Sequence, residues 1–356
     1  MLKFVIKPFD VLFFRDTRPF NIGGVVSSIF PPFPHTFAGA ISAIILQDLK
    51  VSNRKFLKKI YGPFLYNEKQ NKTYFPKPAD IYKEKKKKQV EKIFSLELYD
   101  DSNLALFKFE NSNKPKGIER LPIYLGSEEV EGFNGFISEE GLQKWINGQE
   151  VALQDIVMFE DIFEYESRVG IKQDITTHTV VEEDGLYRIK FLRLKQDWSF
   201  VFYAEFNTEL FPKEYQDENK IKEFYESRKL KVLKLGGEMK TAFYRVEIED
   251  IRERFKKPVL SEDGHFKVLF LTPAAFNSGL FPEGNGIKII SALINGFVNI
   301  SIYFDGKKFA KRGIKAGSVF YLKRTGNINM DDYWFGEFLG NNYFFGSNLV
   351  VYGKLS

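Results

Sequence analysis

The chain has no cysteine and only three histidines in 356 residues. Without cysteine there is no disulfide, no thiolate-held zinc and no cysteine-ligated iron–sulfur cluster. His35, His178 and His265 lack metal-ligand spacing, and neither HExxH nor GxSxG occurs. EGNG at Glu283–Gly286 lacks the third glycine of a dinucleotide loop, and DGKKF lacks the Walker serine or threonine. The adjacent Asp331 and Asp332 read as a charge pair at a helix start rather than as metal ligands. Long apolar runs are also missing. The longest, AGAISAIIL at Ala38–Leu46, is far too short to span a bilayer. Charge interrupts MLKFVIKPFD every few residues, so no secretory leader is expected. A cytoplasmic protein with no membrane contact, no catalytic residue, no metal and no cofactor is the expectation.

Aromatic residues are plentiful: 16% of the chain, with 38 phenylalanines. That supplies core in excess, and some of the Phe is expected outside it, at a subunit interface or under a stacked base. The net charge is +5, but KEKKKKQVEK at Lys83–Lys92 carries six lysines against two glutamates, and the rest of the chain is nearly neutral. Any anion site must therefore come from local arrangement rather than from bulk charge.

Leu2, Phe4 and Ile6 alternate with Lys3 and Lys7, the period of a half-buried strand. Thr36–Leu49 reads as a buried helix behind Pro34. The stretch 61–148 is rich in Lys, Pro, Asn and Gly and reads as an insertion. ESRVGIKQDITTHTVVEEDGLYRIKFLRL, 166–194, reads as a long hairpin with a polar tip near Gln173 to His178. A strand over WSFVFYAEF follows, then a helix with Ile221, Phe224 and Tyr225 inward, LKLGGEMK, and strand TAFYRVEIE. The order recurs: FKVLFLTPAAF resembles LKFVIKPFDVLF, strands VNISIYF and GSVFYLK follow, MDDYWFGEFLG supplies a short helix, and NLVVYG closes the chain. The expectation is an α+β protein of two ferredoxin-like (βαββαβ, RRM-like) domains, 1–256 and 257–356, with the insertion and the hairpin in the first. His265, after Asp263-Gly264, reads as a solvated turn residue, and so does His178.

The most informative stretch is FFRDTRPFNIGGVVSSIFPPFPHTFAGA at Phe13–Ala40. Gly23 and Gly24 permit close backbone approach, so their N–H groups can face an anion. The helix that follows presents unpaired N–H donors. Arg15 and Arg18 can make bidentate phosphate contacts. The competing reading is an ordinary strand-to-helix loop in which Asp16 pairs with one arginine.

FFRDTRPFNIGG…SSIFPPFPHTFAGAI resembles the amino-terminal signature of a RAMP protein, the subunit that holds the 5′ end of the guide RNA in type III-B (Cmr) CRISPR effector complexes. RVGI…THTVVEEDGLY, LGGE at Leu235–Glu238 and AGSVFYLK at Ala316–Lys323 agree with it in order. The resemblance implies glycine-rich loops, a hairpin thumb at about 166–194 that reaches toward RNA, and capture of the repeat-derived 5′ tag of crRNA. It also implies docking against a large polymerase-like subunit and adjacent backbone RAMP subunits, near the target RNA paired at the 5′ end of the guide. It implies no catalysis by this chain. NNYFFGSN departs from a glycine-rich pattern with Phe344 and Phe345, which favours a stacking or packing surface there.

Residue by residue, the resemblance assigns Arg15, Arg18, Asn21, Gly23 and Gly24 to the tag backbone. Ser28, His35 and Thr36 fall at the helix entrance, Arg168, Lys172 and Gln173 on the thumb, and Gly236, Gly237 and Lys240 in the first glycine-rich loop. Alternatives stand beside these: Arg168 pairing with Glu164 or Glu166, and Gly236-Gly237 merely ending a helix. Two other functions are a RAMP-type endoribonuclease using His35 on repeat RNA, and a protein-only scaffold subunit.

Overall fold

The computed structural model describes residues 1–15, 25–51, 54–85, 92–100, 120–171, 176–177, 179–180, 186–276, 284, 286–304, 307–339 and 345–355. It is a mixed α+β chain in which strands dominate. It divides into two compact units, each discontinuous in sequence. One comprises Met1–Asn71, Glu160–Asp250 and Asn299–Ala310, the other Lys72–Phe159, Ile251–Val298 and Lys311–Ser356.

In the first unit, strand Leu2–Pro8 lies between Trp198–Phe206 and Thr241–Ile248, antiparallel to both, with Phe4 opposite Phe202 and Val246. Leu57–Asn67 adds to the far side of 198–206, and Val232–Lys234 to the far side of 241–248. The chain thus runs strand, helix, strand, strand, helix, strand, and the sheet orders them second, third, first, last. Helix Pro34–Asp48 buries Phe37, Ile41 and Ile45, and helix Glu218–Ser227 buries Ile221, Phe224 and Tyr225. The Tyr225 hydroxyl donates to the Ile41 carbonyl at 3.1 Å, tying the two helices together. Phenylalanine does much of the packing: Phe4 stacks on Phe202 at 4.9 Å, and Phe37 meets both Phe200 and Phe202 edge-on.

Two expectations change here. Strand 2–8 is central rather than half-buried, and even Lys3 is covered, because Glu249 and Glu247 meet its ammonium at 3.0 and 3.2 Å. The expected insertion at 61–148 begins inside a long buried strand. Gly62 and Pro63 read as breakers, yet they form an irregularity within it: Gly62 has φ +101, and a Cβ there would stand 2.9 Å from the Phe64 nitrogen.

In the second unit, His265–Phe270 lies between Val319–Arg324 and Leu349–Gly353, with Ile287–Leu293 beyond 319–324. The spatial order is again second, third, first, last. The expected strand VNISIYF belongs to a separate two-stranded element, Phe297–Phe304 with Lys307–Ile314, and Ile287–Leu293 takes the second position. A single 3-10 turn, Met330–Tyr333, stands where a second helix was expected, with Asp331 and Asp332 in it.

The rest of the supposed insertion belongs to this unit. Lys72–Pro76, Gly135–Ser138 and Ile156–Met158 form a ladder. Ser138 caps helix Glu139–Ile146 by accepting from the Gly141 amide at 3.1 Å. That helix packs on the last strand: Ile146 accepts from the Lys354 amide at 2.8 Å, and a Cβ on Gly353 would stand 3.1 Å from Ile146 Cα. Mid-chain residues thus serve the carboxyl-terminal sheet, and for that reason 61–148 is not a free-standing insertion. His265 is also corrected. It opens a strand, is 9% exposed, and its Nδ1 lies 2.7 Å from Asp263. Beyond the doubted glycine loop, Asn348 is buried and its side-chain amide donates to the carbonyls of Ala275 and Phe338. No described helix is long and apolar enough to cross a membrane.

Candidate nucleic-acid interface

Strands Phe163–Ile171 and Leu186–Leu194 pair antiparallel from Phe163↔Leu194 to Ile171↔Leu186, forming the base of the expected hairpin. The opening segment runs along it. Leu12 and Leu192 exchange backbone hydrogen bonds, both 2.8 Å. Val25–Ser27 then returns as a short strand parallel to 188–190. Between these two anchors the chain closes a neck. The Phe14 amide donates to Ser28 Oγ at 2.9 Å, and the Ile29 amide to the Phe14 carbonyl at 2.9 Å. Val11, Phe13, Ile189 and Phe191 form a small core beneath, joined by Val26 and Tyr187.

The glycine turn meets the same segment. The Gly237 amide donates to the Phe13 carbonyl at 2.7 Å, and Leu235 closes the turn by donating to Lys240 at 2.9 Å. Gly236 has φ +78, and a Cβ there would stand 2.5 Å from the Phe13 oxygen. No other residue fits that approach without displacement. The turn is therefore a docking contact and not merely a helix end.

Above Phe191 the charges gather. Arg168 and Lys240 lie 5.3 and 4.8 Å from its ring centroid. Arg168 pairs with Asp10 and Glu166, both at 2.7 Å, and Arg193 reaches the same two carboxylates at 2.6 Å. Each carboxylate thus bridges two guanidinium groups. Arg168 first, and Arg193 with it, hold the Asp10 carboxyl down at about 2 against the opposing effect of burial. The alternative pairing of Arg168 with Glu166 is realised, but Asp10 and Arg193 complete it, and neither was marked from sequence. Their signal is the alternation in LYRIKFLRL, which sets Arg193 on the face of Tyr187, Ile189 and Phe191.

The opposite face of this three-stranded sheet is open. Val169 is 62% exposed, Leu186 59% and Val25 58%, with Tyr165 and Ile171 exposed beside them. Arg188, exposed, stands between Val169 and Val25 in register, and Lys190 lies on the same face.

Helix 34–48 begins without a capping side chain and with no acidic residue in its first turn, but Pro34 brings no N–H and the Thr36 amide donates to the Phe33 carbonyl at 3.1 Å, so few donors are left at its amino end. Thr36 is half-buried in that turn. His35 is half-buried and lies 5.3 Å from the Phe33 ring, nearly parallel to it. Among the described residues nothing bonds its Nδ1, and burial pulls the imidazole down to about 4. Ser28 is buried, its oxygen committed to the neck. Arg15 is exposed. Arg18, Asn21, Gly23, Gly24, Lys172, Gln173 and His178 lie outside the described residues. Among the described residues no group of three or more His, Asp or Glu could hold a metal ion.

A family model described as CRISPR-associated protein (Cas_Cmr3) matches residues 4–355. The chain belongs to the Cas_Cmr3 family. No curated protein matches the sequence. Among solved structures, this Cas_Cmr3 chain is similar to one in a type III-B Cmr-beta complex bound to cognate target RNA and AMPPnP. Identity is 18%, the TM-score 0.48, and the match covers 90% of this chain and 86% of that one. It is also similar to a chain of the type III-B Cmr-beta complex bound to cognate target RNA, at 17% identity and a TM-score of 0.49, with the same coverage. A chain of the Csm3–Csm4 subcomplex of the type III-A CRISPR-Cas interference complex matches at 14% identity and a TM-score of 0.41, covering 98% of each chain.

Proposed function

We propose that this Cas_Cmr3 protein is a guide-RNA-binding subunit of a type III-B CRISPR effector complex, holding the 5′ tag of crRNA without catalysing a reaction. The observation that carries the reading is convergence. The neck of the opening loop, the glycine turn and the hairpin base, three separate stretches of the sequence, are joined by direct hydrogen bonds within one unit.

In this reading Arg15 and Arg18 take phosphates, and the backbone at Gly23 and Gly24, with Asn21, follows the strand closely. Ser28 acts by closing the neck. His35 and Thr36 stand at the uncapped helix entrance, where His35 offers a neutral imidazole. Arg168, Lys172, Gln173 and Lys240 extend the surface along the hairpin. On the opposite face of the same sheet, exposed Val169 and Val25 flank Arg188, with Leu186, Lys190 and Tyr165 along that face, giving bases an apolar surface next to positive charge.

Docking to the large polymerase-like subunit and adjacent backbone RAMP subunits, close to the target RNA, belongs to the same proposal, and family membership supports it. Each sheet is taken as a ferredoxin-like domain, with 72–159 joined to the carboxyl-terminal one. The second, third, first, last strand order of both supports this.

The test is assembly with the large subunit, followed by binding of guides with and without the tag. Tag-dependent binding lost in Arg15→Ala/Arg18→Ala is expected. Binding indifferent to the tag would overturn the assignment.

A further inference from the structure

Strand 265–270 carries two titratable side chains that play no part in the surface above. His265 and Lys267 line a cavity of about 240 Å³, whose other polar walls are Arg120, Ser261, Asp263 and Tyr321. All of them lie in one unit.

The carboxylates around it are already committed. Asp263 accepts from the Ser261 hydroxyl and, at 3.0 Å, from the His265 amide, and its second oxygen faces His265 Nδ1. Asp80, buried, accepts the Trp145 indole N–H at 2.9 Å and pairs with Lys267 at 3.5 Å. What remains unspent is donor capacity. Lys267 has three N–H groups, of which its pair with Asp80 and its place 4.2 Å over the Trp145 ring leave one to spare. Burial first, then the charge of Asp80 and a side-chain contact with it, keep the Tyr321 phenol protonated, and beyond Asp80 its hydroxyl finds no well-directed partner among the described residues. A buried hydroxyl so poorly paired is costly, and native structures rarely keep one. Arg120 adds a planar fork suited to an oxyanion.

We propose that this cavity binds phosphate, either free or as the monoester of a mononucleotide. Donors outnumber free acceptors on its walls, which selects an acceptor-rich ligand. Its volume falls below the roughly 300–1,000 Å³ of pockets that enclose drug-sized ligands, so the occupant is compact.

Calorimetric titration of the full chain with inorganic phosphate, adenosine monophosphate and adenosine tests this. Saturable phosphate or monophosphate binding is expected, and the tighter of the two identifies the source. Tyr321→Phe removes only the hydroxyl, so it should weaken binding roughly tenfold while the protein still folds. Arg120→Gln should weaken it similarly. Adenosine binding as tightly as its monophosphate, no saturation by about 10 mM, or undiminished affinity in both variants would each overturn the site. Tagged-guide binding by the same variants should be unaltered, which separates this outcome from that of the opening loop.

Discussion

The backbone amide of Gly237 donates to the carbonyl of Phe13 at 2.7 Å, joining residues more than two hundred positions apart. The contact requires Gly236 in a left-handed conformation with no side chain against that carbonyl. Gly236→Ala should destabilise the protein by about 1–3 kcal/mol from backbone strain, with the blocked approach adding to it. Gly237→Ala meets a ring carbon of Phe13 at 3.2 Å and its carbonyl oxygen at an ordinary 3.6 Å, and should cost less. Thermal unfolding of the two variants checks the order, and equal melting temperatures would refute it.

Asp10 restrains Arg168 and Arg193. These pairs are well exposed, so Asp10→Asn should change stability by less than about 1 kcal/mol. It should nevertheless raise RNA affinity, because two guanidinium groups lose a competing carboxylate. If both reach phosphate, the salt dependence of binding to a single strand should steepen by about 0.7 per contact. Binding measured across a salt series decides it, and an unchanged slope would count against the surface.

The same carboxylate predicts a pH window. Its folded pKa, about 2, lies below the ordinary value of about 3.9. Its contribution is therefore complete above pH ~4 and lost as pH falls toward ~2. His35 acts at milder pH. With a folded pKa of about 4 against an ordinary ~6.5, it disfavours folding increasingly as pH drops from ~6.5 to ~4, by on the order of 3 kcal/mol in full. His35→Phe should flatten that slope in melting curves taken between pH 4 and 7.

A neutral, half-buried imidazole also bears on the endoribonuclease alternative. Repeat RNA incubated with the protein should remain intact across pH 5 to 8. Cleavage abolished by His35→Ala would replace the binding assignment with a catalytic one.

Asp80 and Lys267 form a buried charge pair. Removing one partner of such a pair typically costs about 3–5 kcal/mol. Asp80→Asn should fall in that range, since it also weakens the acceptor of the Trp145 indole N–H. Chemical denaturation provides the measurement, and a loss below about 1 kcal/mol would show that the pair is solvated.

Much of the framework was legible in local patterns. Alternation marked strands 2–8, 198–206 and 241–248, and the inward Ile221, Phe224 and Tyr225 marked a helix. What escaped was set by distant partners. Strand 57–67 was concealed because Gly62 and Pro63 punctuate sequence in the same way whether they end an element or kink one. Nothing near Asp10 announces Arg193, since only the pairing of 12 with 192 brings them together. His265 follows a turn signal correctly read, but the strand after that turn draws it inward.

Strand 2–8 is made early and completed late. Its two neighbours in the sheet end at residues 206 and 248. A ribosome adding about 5–20 residues per second takes on the order of 10–50 s to deliver them. Helix 139–146 waits longer still, for a strand that closes at residue 353. The first sheet therefore cannot close before residue 248 is made, nor the second before residue 353. Leu2 and Phe4 stay uncovered through the first of these intervals and Leu142 and Trp145 through the second, and a cell making this protein must shelter each pair for that time.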